Sequence, residues 1–150
     1  MRLAALWFLL AVVSHWVNVA CDLPVRVAGA LAAIARAWGI AARAEGANVL
    51  LPGYTLRVIE ECTGLSVAGA MIAFAGVAPL PWTTRVRGAL LLASVALVWN
   101  AVRLVGVVWV AQVAPSHVAF VHDVLWQIAT VLVLLLSAAL WMRASRAWPS

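Results

Sequence analysis

Long apolar runs separated by short polar breaks dominate the chain. Four of them, Leu3–Ala20, Thr63–Leu80, Gly88–Val113 and Val118–Met142, carry almost no charge. At about 1.5 Å per residue, each reaches or nearly reaches the roughly 30 Å of a hydrocarbon core. The last two exceed it, as tilted or protruding helices do. The pattern predicts an all-α integral membrane protein with about four spans, forming one membrane-embedded domain over residues 1–150. The first run also has the outline of a cleaved leader, with Arg2 before LAALWFLLAVV and Asn18-Val19-Ala20-Cys21 after it. Asn18 and the bulky Trp16 fit a cleavage site poorly, so a retained span is expected.

Between the first two runs, residues 21–62 follow other periods. Val27, Leu31, Ile34 and Trp38 recur at helical spacing, with Arg26, Arg36 and Arg43 elsewhere on the wheel. This predicts an amphipathic helix lying on the membrane surface; a short, poorly inserted span is the alternative. Asn48–Leu51 and Tyr54–Ile59, joined by Pro52-Gly53, predict a small β-hairpin leading to the second span.

Composition supports the membrane reading. Hydrophobic residues make up 67% of the chain and charged residues 10%, and the mean hydropathy is +1.07; a soluble domain needs more polar surface. The net charge of +5 does not suggest nucleic acid, because the arginines punctuate apolar runs and form no basic block. Short segments count most in setting topology, and here these are TTRVR, with Arg85 and Arg87, and RASR, with Arg143 and Arg146. With Arg2, they favour an amino terminus inside and residues 21–62 outside. The chain has no lysine, which excludes lysine-based catalysis, and no cofactor or metal set is expected. The nine tryptophans, Trp109, Trp126 and Trp141 among them, read as interfacial anchors and packing groups. Gly64, Ala68, Gly69, Ala73 and Gly76 read as a close-packing face.

A few polar residues stand out against this background. Arg103 is the only charge in Gly88–Val113, where a central arginine costs about 2.5–3.5 kcal/mol and normally faces the bundle interior. Asn100, three residues earlier, shares its face. His122 and Asp123 lie near the start of the fourth run. Cys62 sits at the head of the second, behind Glu60 and Glu61, whose carboxylates oppose thiolate formation. A helix amino terminus at Cys62, a base at His122 and a cation at Arg103 would oppose that penalty and equip a cysteine nucleophile. Other readings stay open at this level. Cys62 could pair with Cys21 in a structural disulfide of a non-catalytic membrane subunit or assembly factor. Arg103 could serve only as a partner for Asp123. His122 could be a boundary histidine, or could join His15 as a haem ligand. His117 reads as a solvated loop residue.

WGIAARAEGANVLLPGYTLRVIEECTGLSVAG resembles the outer segment and first signature of the exosortases and archaeosortases, which typically read Glu-Gly, Leu-Pro-Gly, then Glu-Ala-Cys-Ser-Gly. Asn100-Ala-Val-Arg103 is similar to their second signature, Asn-x-x-Arg, and Phe120-Val121-His122 to their third. The order Cys, Arg, His and the separations of 41 and 19 residues match the family, and the resemblance runs from about Trp38 to Trp126. Glu60 fits the pattern; Glu61 stands where a small residue is usual, and Thr63 replaces serine. With one span before the outer segment, the chain resembles a compact form. The resemblance implies a membrane-embedded cysteine transpeptidase or protease of the plasma membrane, with its site facing outward. It implies Cys62, Arg103 and His122 as catalytic residues, with Asn100, Asp123 and Glu60 in support. The implied partners are exported proteins whose carboxy-terminal signal comprises a short motif, a transmembrane helix and a basic cluster. The product would pass through a thioester to an acceptor amine, such as one on a lipid, or to water.

Overall fold

The longest helix, α4, runs unbroken over Trp82–Val113. Its 32 residues rise about 48 Å, more than a hydrocarbon core requires. A computed structural model describes residues 2–147, and side chains over residues 4–146; Arg2, used above in assigning topology, has its side chain outside the described set. Before α4 come α1 (Arg2–Ala20), α2 (Leu23–Ala37), β1 (Arg43–Glu45), β2 (Asn48–Leu51), β3 (Tyr54–Arg57), a 3₁₀ turn (Glu60–Thr63) and α3 (Leu65–Val77). After it come a second 3₁₀ turn (Pro115–His117), α5 (Val118–Phe120), a π-helical segment (Val121–Leu125) and α6 (Trp126–Ala147).

Of the expected four spans, two or three meet the criteria of length and apolarity. Two described stretches are long and apolar enough to cross a membrane alone, Trp82–Val113 and Pro115–Arg146. Ala4–Ala20 and Leu23–Ala37 meet the criterion together and are bent by 65° between them, making a third at most. The expected second span, Thr63–Leu80, is realised as α3, whose 13 residues rise only about 20 Å. Gly64 delays its start, and Ala78, in extended backbone, ends it before Pro79 and Pro81. Arg85 Nη1 donates to the Gly76 carbonyl at 3.1 Å, satisfying an acceptor in the last turn of α3.

The bend between α1 and α2 lies at Asp22, the only described non-glycine residue with positive φ (47°), a conformation aspartate tolerates better than most. Pro24 then occupies the first turn of α2, where its missing N–H costs nothing. The expected amphipathic helix is present as α2. α2 buries Ala28, Leu31, Ala32 and Ala35 in one core with Val49, Leu51 and Val58 of the sheet region and Leu104, Val107, Val108 and Ala111 of α4. Its alanines allow close approach, while Ile34 and Trp38 remain exposed.

The predicted hairpin is present and gains a strand. β2 and β3 pair antiparallel with Leu51 opposite Tyr54, and Gly53 takes φ 76°, as the second central residue of a type II turn after proline does. β1 pairs with β2 from Arg43↔Leu50 to Glu45↔Asn48. Its sequence, Arg-Ala-Glu, is too short and too polar to announce a strand.

α6 packs against α4 through two tryptophan–glycine contacts. A Cβ on Gly106 would collide with Trp126, and one on Gly88 would collide with Trp141. Trp126 also meets Trp99 edge-on at 5.5 Å, and Trp99 Nε1 donates to Thr130 Oγ1 at 2.9 Å. These indoles are packing groups, as expected. Only 11% of the apolar window of Pro115–Arg146 is buried inside the protein, so Leu132, Leu135 and Leu136 face outward, the arrangement of a lipid-facing helix.

Candidate functional site

The candidate site begins in the 3₁₀ turn. Thr63 Oγ1 donates to the Glu60 carbonyl at 2.7 Å, and the Cys62 amide donates to the Ile59 carbonyl at 2.9 Å. Gly64 reverses the backbone with φ 78° before α3 starts at Leu65. Cys62 therefore sits in the preceding turn, and the expected position at the α3 amino terminus is corrected. The cysteine is 5% exposed and belongs to the core shared by α2, the sheet and α4.

Two of the sequence signatures meet directly. Asn100 Nδ2 donates to the Cys62 carbonyl at 2.7 Å, tying α4 to the cysteine's own peptide. Gly64 is what makes room: a Cβ there would lie 2.9 Å from Asn100 Cγ and Nδ2. Glycine is needed twice at this position, once for φ and once for space. Gly64→Ala is expected to keep the protein in the membrane but lower any Cys62-dependent turnover by about 10–100-fold, because a displacement near 1 Å at a reacting group is enough for that. Turnover at the wild-type rate in purified membranes would show that the Asn100 contact is dispensable.

Arg103 lies one turn beyond Asn100 on the same face and is 9% exposed. Its Nε is buried with no hydrogen-bond partner, and no ion pair to Arg103 exists among the described residues. The structural pairing with Asp123 is not formed. Asp123 instead accepts from His122, Oδ1 to Nδ1 at 2.7 Å, in an imidazole–carboxylate pair that leaves Nε2 free. Both residues lie in the π-helical segment Val121–Leu125, an irregularity frequent at functional sites that the sequence did not announce.

The carboxylates beside Cys62 are turned to other uses. Glu60 Oε2 is 2.8 Å from His15 Nδ1 of α1, and Glu61 is exposed. His15 and His122 each hold their own carboxylate through Nδ1. Cys21 and Cys62 are both free, the first exposed and the second buried, so the disulfide alternative is not realised. His117 accompanies Ser116 in an exposed turn, as expected. Among the described residues, no hydrogen bond joins the side chains of Cys62, Arg103 and His122 to one another. Of the expected residues, Cys62 and Asn100 are joined by a hydrogen bond, Arg103 lies one turn further along α4, and His122 and Asp123 lie in the π-helical segment that comes after α4.

No curated protein and no solved structure matches the chain. The family model of the transmembrane exosortases matches residues 1–143, taking in α1, residues 21–62 and all three signatures. With nearly its whole length so matched, the chain belongs to the transmembrane exosortase family.

Proposed function

We propose that the protein is a cysteine transpeptidase of the plasma membrane that removes the carboxy-terminal sorting signal of exported proteins. The observation that carries this reading is the Asn100–Cys62 hydrogen bond, which holds a cysteine one turn from a buried, unpaired arginine. A buried cation without an anion is costly, and a negative charge that develops during a reaction is the partner that makes such a placement useful.

In this mechanism Cys62 Sγ attacks the carbonyl carbon of the scissile peptide. The thiol proton passes to His122 Nε2, the position left free by the Nδ1 contact to Asp123. Arg103 stabilises the oxyanion. As the C–N bond breaks, His122 returns the proton to the departing amine and the exported protein remains as a thioester on Cys62. An acceptor amine, or water, then attacks the thioester, loses its proton through His122, and Cys62 leaves as the thiol. The proton transfer requires His122 and Cys62 to come within hydrogen-bond reach in the substrate complex, where catalytic hydrogen bonds often tighten. The basic tail of the substrate lies inside and the scissile bond outside, beside Cys62.

The test is to trap the thioester. Membranes holding the wild-type chain and a reporter fused to a sorting tail encoded in the same genome are expected to contain a reporter–enzyme adduct that hydroxylamine releases. Removal of the tail with no such adduct, under quenching that preserves thioesters, would overturn the covalent route.

A further inference from the structure

The packing register of α1 carries a second polar residue toward the turn that holds Cys62. α1 runs antiparallel along α3. Leu6 Cδ2 lies 3.3 Å from where a Gly76 Cβ would sit, Leu10 Cβ lies 3.4 Å from the corresponding point on Gly69, and Ser14 Oγ is 3.4 Å from Ser66 Oγ. Each step of about one turn along α1 thus moves the contact back toward the start of α3. The next turn of α1 brings Asn18, and the next segment beyond Ser66 is the turn holding Cys62. The His15–Glu60 contact at 2.8 Å shows that α1 does reach this turn, and Asn18 lies three residues from His15 on an adjoining part of the same face.

Asn18 is 2% exposed. Its Nδ2 donates to the Ser14 carbonyl at 3.0 Å, while its Oδ1 is buried with no partner among the described residues. A buried acceptor left without a donor is unfavourable and calls for a reason. Neither the Cys–Arg–His chemistry nor the packing of α1 supplies one.

We infer that Asn18 is a substrate-binding residue of the site: its amide oxygen accepts a backbone N–H of the peptide next to the scissile carbonyl. This rests on the function proposed above and names the polymer it binds, an extended peptide main chain. The chemistry fits the location. A peptide entering beside Cys62 brings main-chain N–H groups that must find acceptors in a dry site. A carboxylate could accept them, but its charge would oppose the thiolate; a neutral amide accepts without that penalty. The His15–Glu60 contact ties this end of α1 to the turn that holds Cys62.

Asn18→Leu tests the inference, because leucine approximates the volume and removes the unpartnered acceptor. The assay follows processing of the tail-bearing reporter over a range of reporter levels. Its companion measurements are thermal stability and the rate at which a small maleimide alkylates Cys62. Apparent KM is expected to rise about ten-fold with the maximal rate within about two-fold, as for loss of one substrate hydrogen bond. Stability should be unchanged or higher, and Cys62 alkylation unchanged. An unchanged KM overturns the assignment, and so does a loss that comes with lower stability or altered alkylation, which marks a structural role. Cys62→Ala serves as the reference: if that variant still processes the reporter, both readings fall. If it is inactive beside an Asn18→Leu chain of wild-type KM, Asn18 alone falls.

Discussion

Cys62→Ala is expected to abolish removal of the sorting tail, lowering the rate by about 10⁴-fold or more, while the chain continues to accumulate in the membrane. The expectation separates chemistry from architecture. In the fold, Cys62 contributes one small apolar side chain to a core that also holds Leu31, Val49, Val58, Leu104 and Val107. Its loss should cost about 1 kcal/mol, within the ordinary range for a core truncation. The elements around it keep their own supports: the Thr63–Glu60 contact within the turn, the Asn100 bond to the backbone carbonyl of residue 62, and the reversal at Gly64. None of these involves the sulfur. In the reaction, by contrast, no second thiol stands at this point; Cys21 is exposed on the α1–α2 connection, and losing a covalent nucleophile removes the entire proposed two-step route. The measurement is the ratio of processed to unprocessed reporter at matched enzyme abundance. Normal processing by Cys62→Ala would sink the nucleophile assignment, and a variant that vanishes from the membrane would show that the thiol has a structural role.

The parts of this site legible in the sequence are those whose signal is local. Asn100 and Arg103 stand out because polar groups in an apolar helix are costly and their spacing puts them on one face. Gly64 was legible as a small residue for close packing, but its reason was not: only the fold shows that Asn100 occupies the space a Cβ would need. The Pro52-Gly53 turn and its two strands followed from turn chemistry, whereas β1 exists because β2 offers it an edge, a partnership no three-residue segment can announce.

What the sequence could not reveal depends on contacts distant along the chain. Glu60 and Glu61 looked like a penalty on the thiol; the fold sends the first to His15, 45 residues away, and the second to the surface. The face that α2 packs on the core was hidden for a similar reason. Hydrophobic periodicity marks large apolar residues such as Ile34 and Trp38, yet α2 turns its alanines inward because a close helix contact selects small side chains. Spans are hardest to count where length and apolarity disagree: Thr63–Leu80 carries no charge, but Gly64 and the prolines at 79 and 81 leave room for only 13 helical residues. The π-helical segment around His122 is likewise invisible to a reading that assumes a regular helix.

Arg103→Lys is the second large effect, with processing expected to fall by about 10²–10³-fold, the range seen when a single oxyanion donor is lost. Lysine preserves the charge, so a purely electrostatic need for a cation at this depth would be met and the change would be small. The guanidinium offers something lysine does not: a planar fork of donors, held by a short reach from a buried helix face. Arg103 has no carboxylate partner in the described structure, and its Nε waits unpaired, so the substitution breaks no ion pair in the resting protein. Stability should accordingly be little affected, and the loss should appear in the maximal rate more than in apparent KM, as for an interaction made mainly in the transition state. Asp123→Asn separates the two carboxylate roles. It should impair turnover through His122, to which Asp123 is bonded at 2.7 Å, and should not worsen an Arg103→Lys chain through any Arg103–Asp123 pair. Wild-type turnover by Arg103→Lys would mean that Arg103 supplies charge alone, and the oxyanion would then have to be held by another donor beside Cys62.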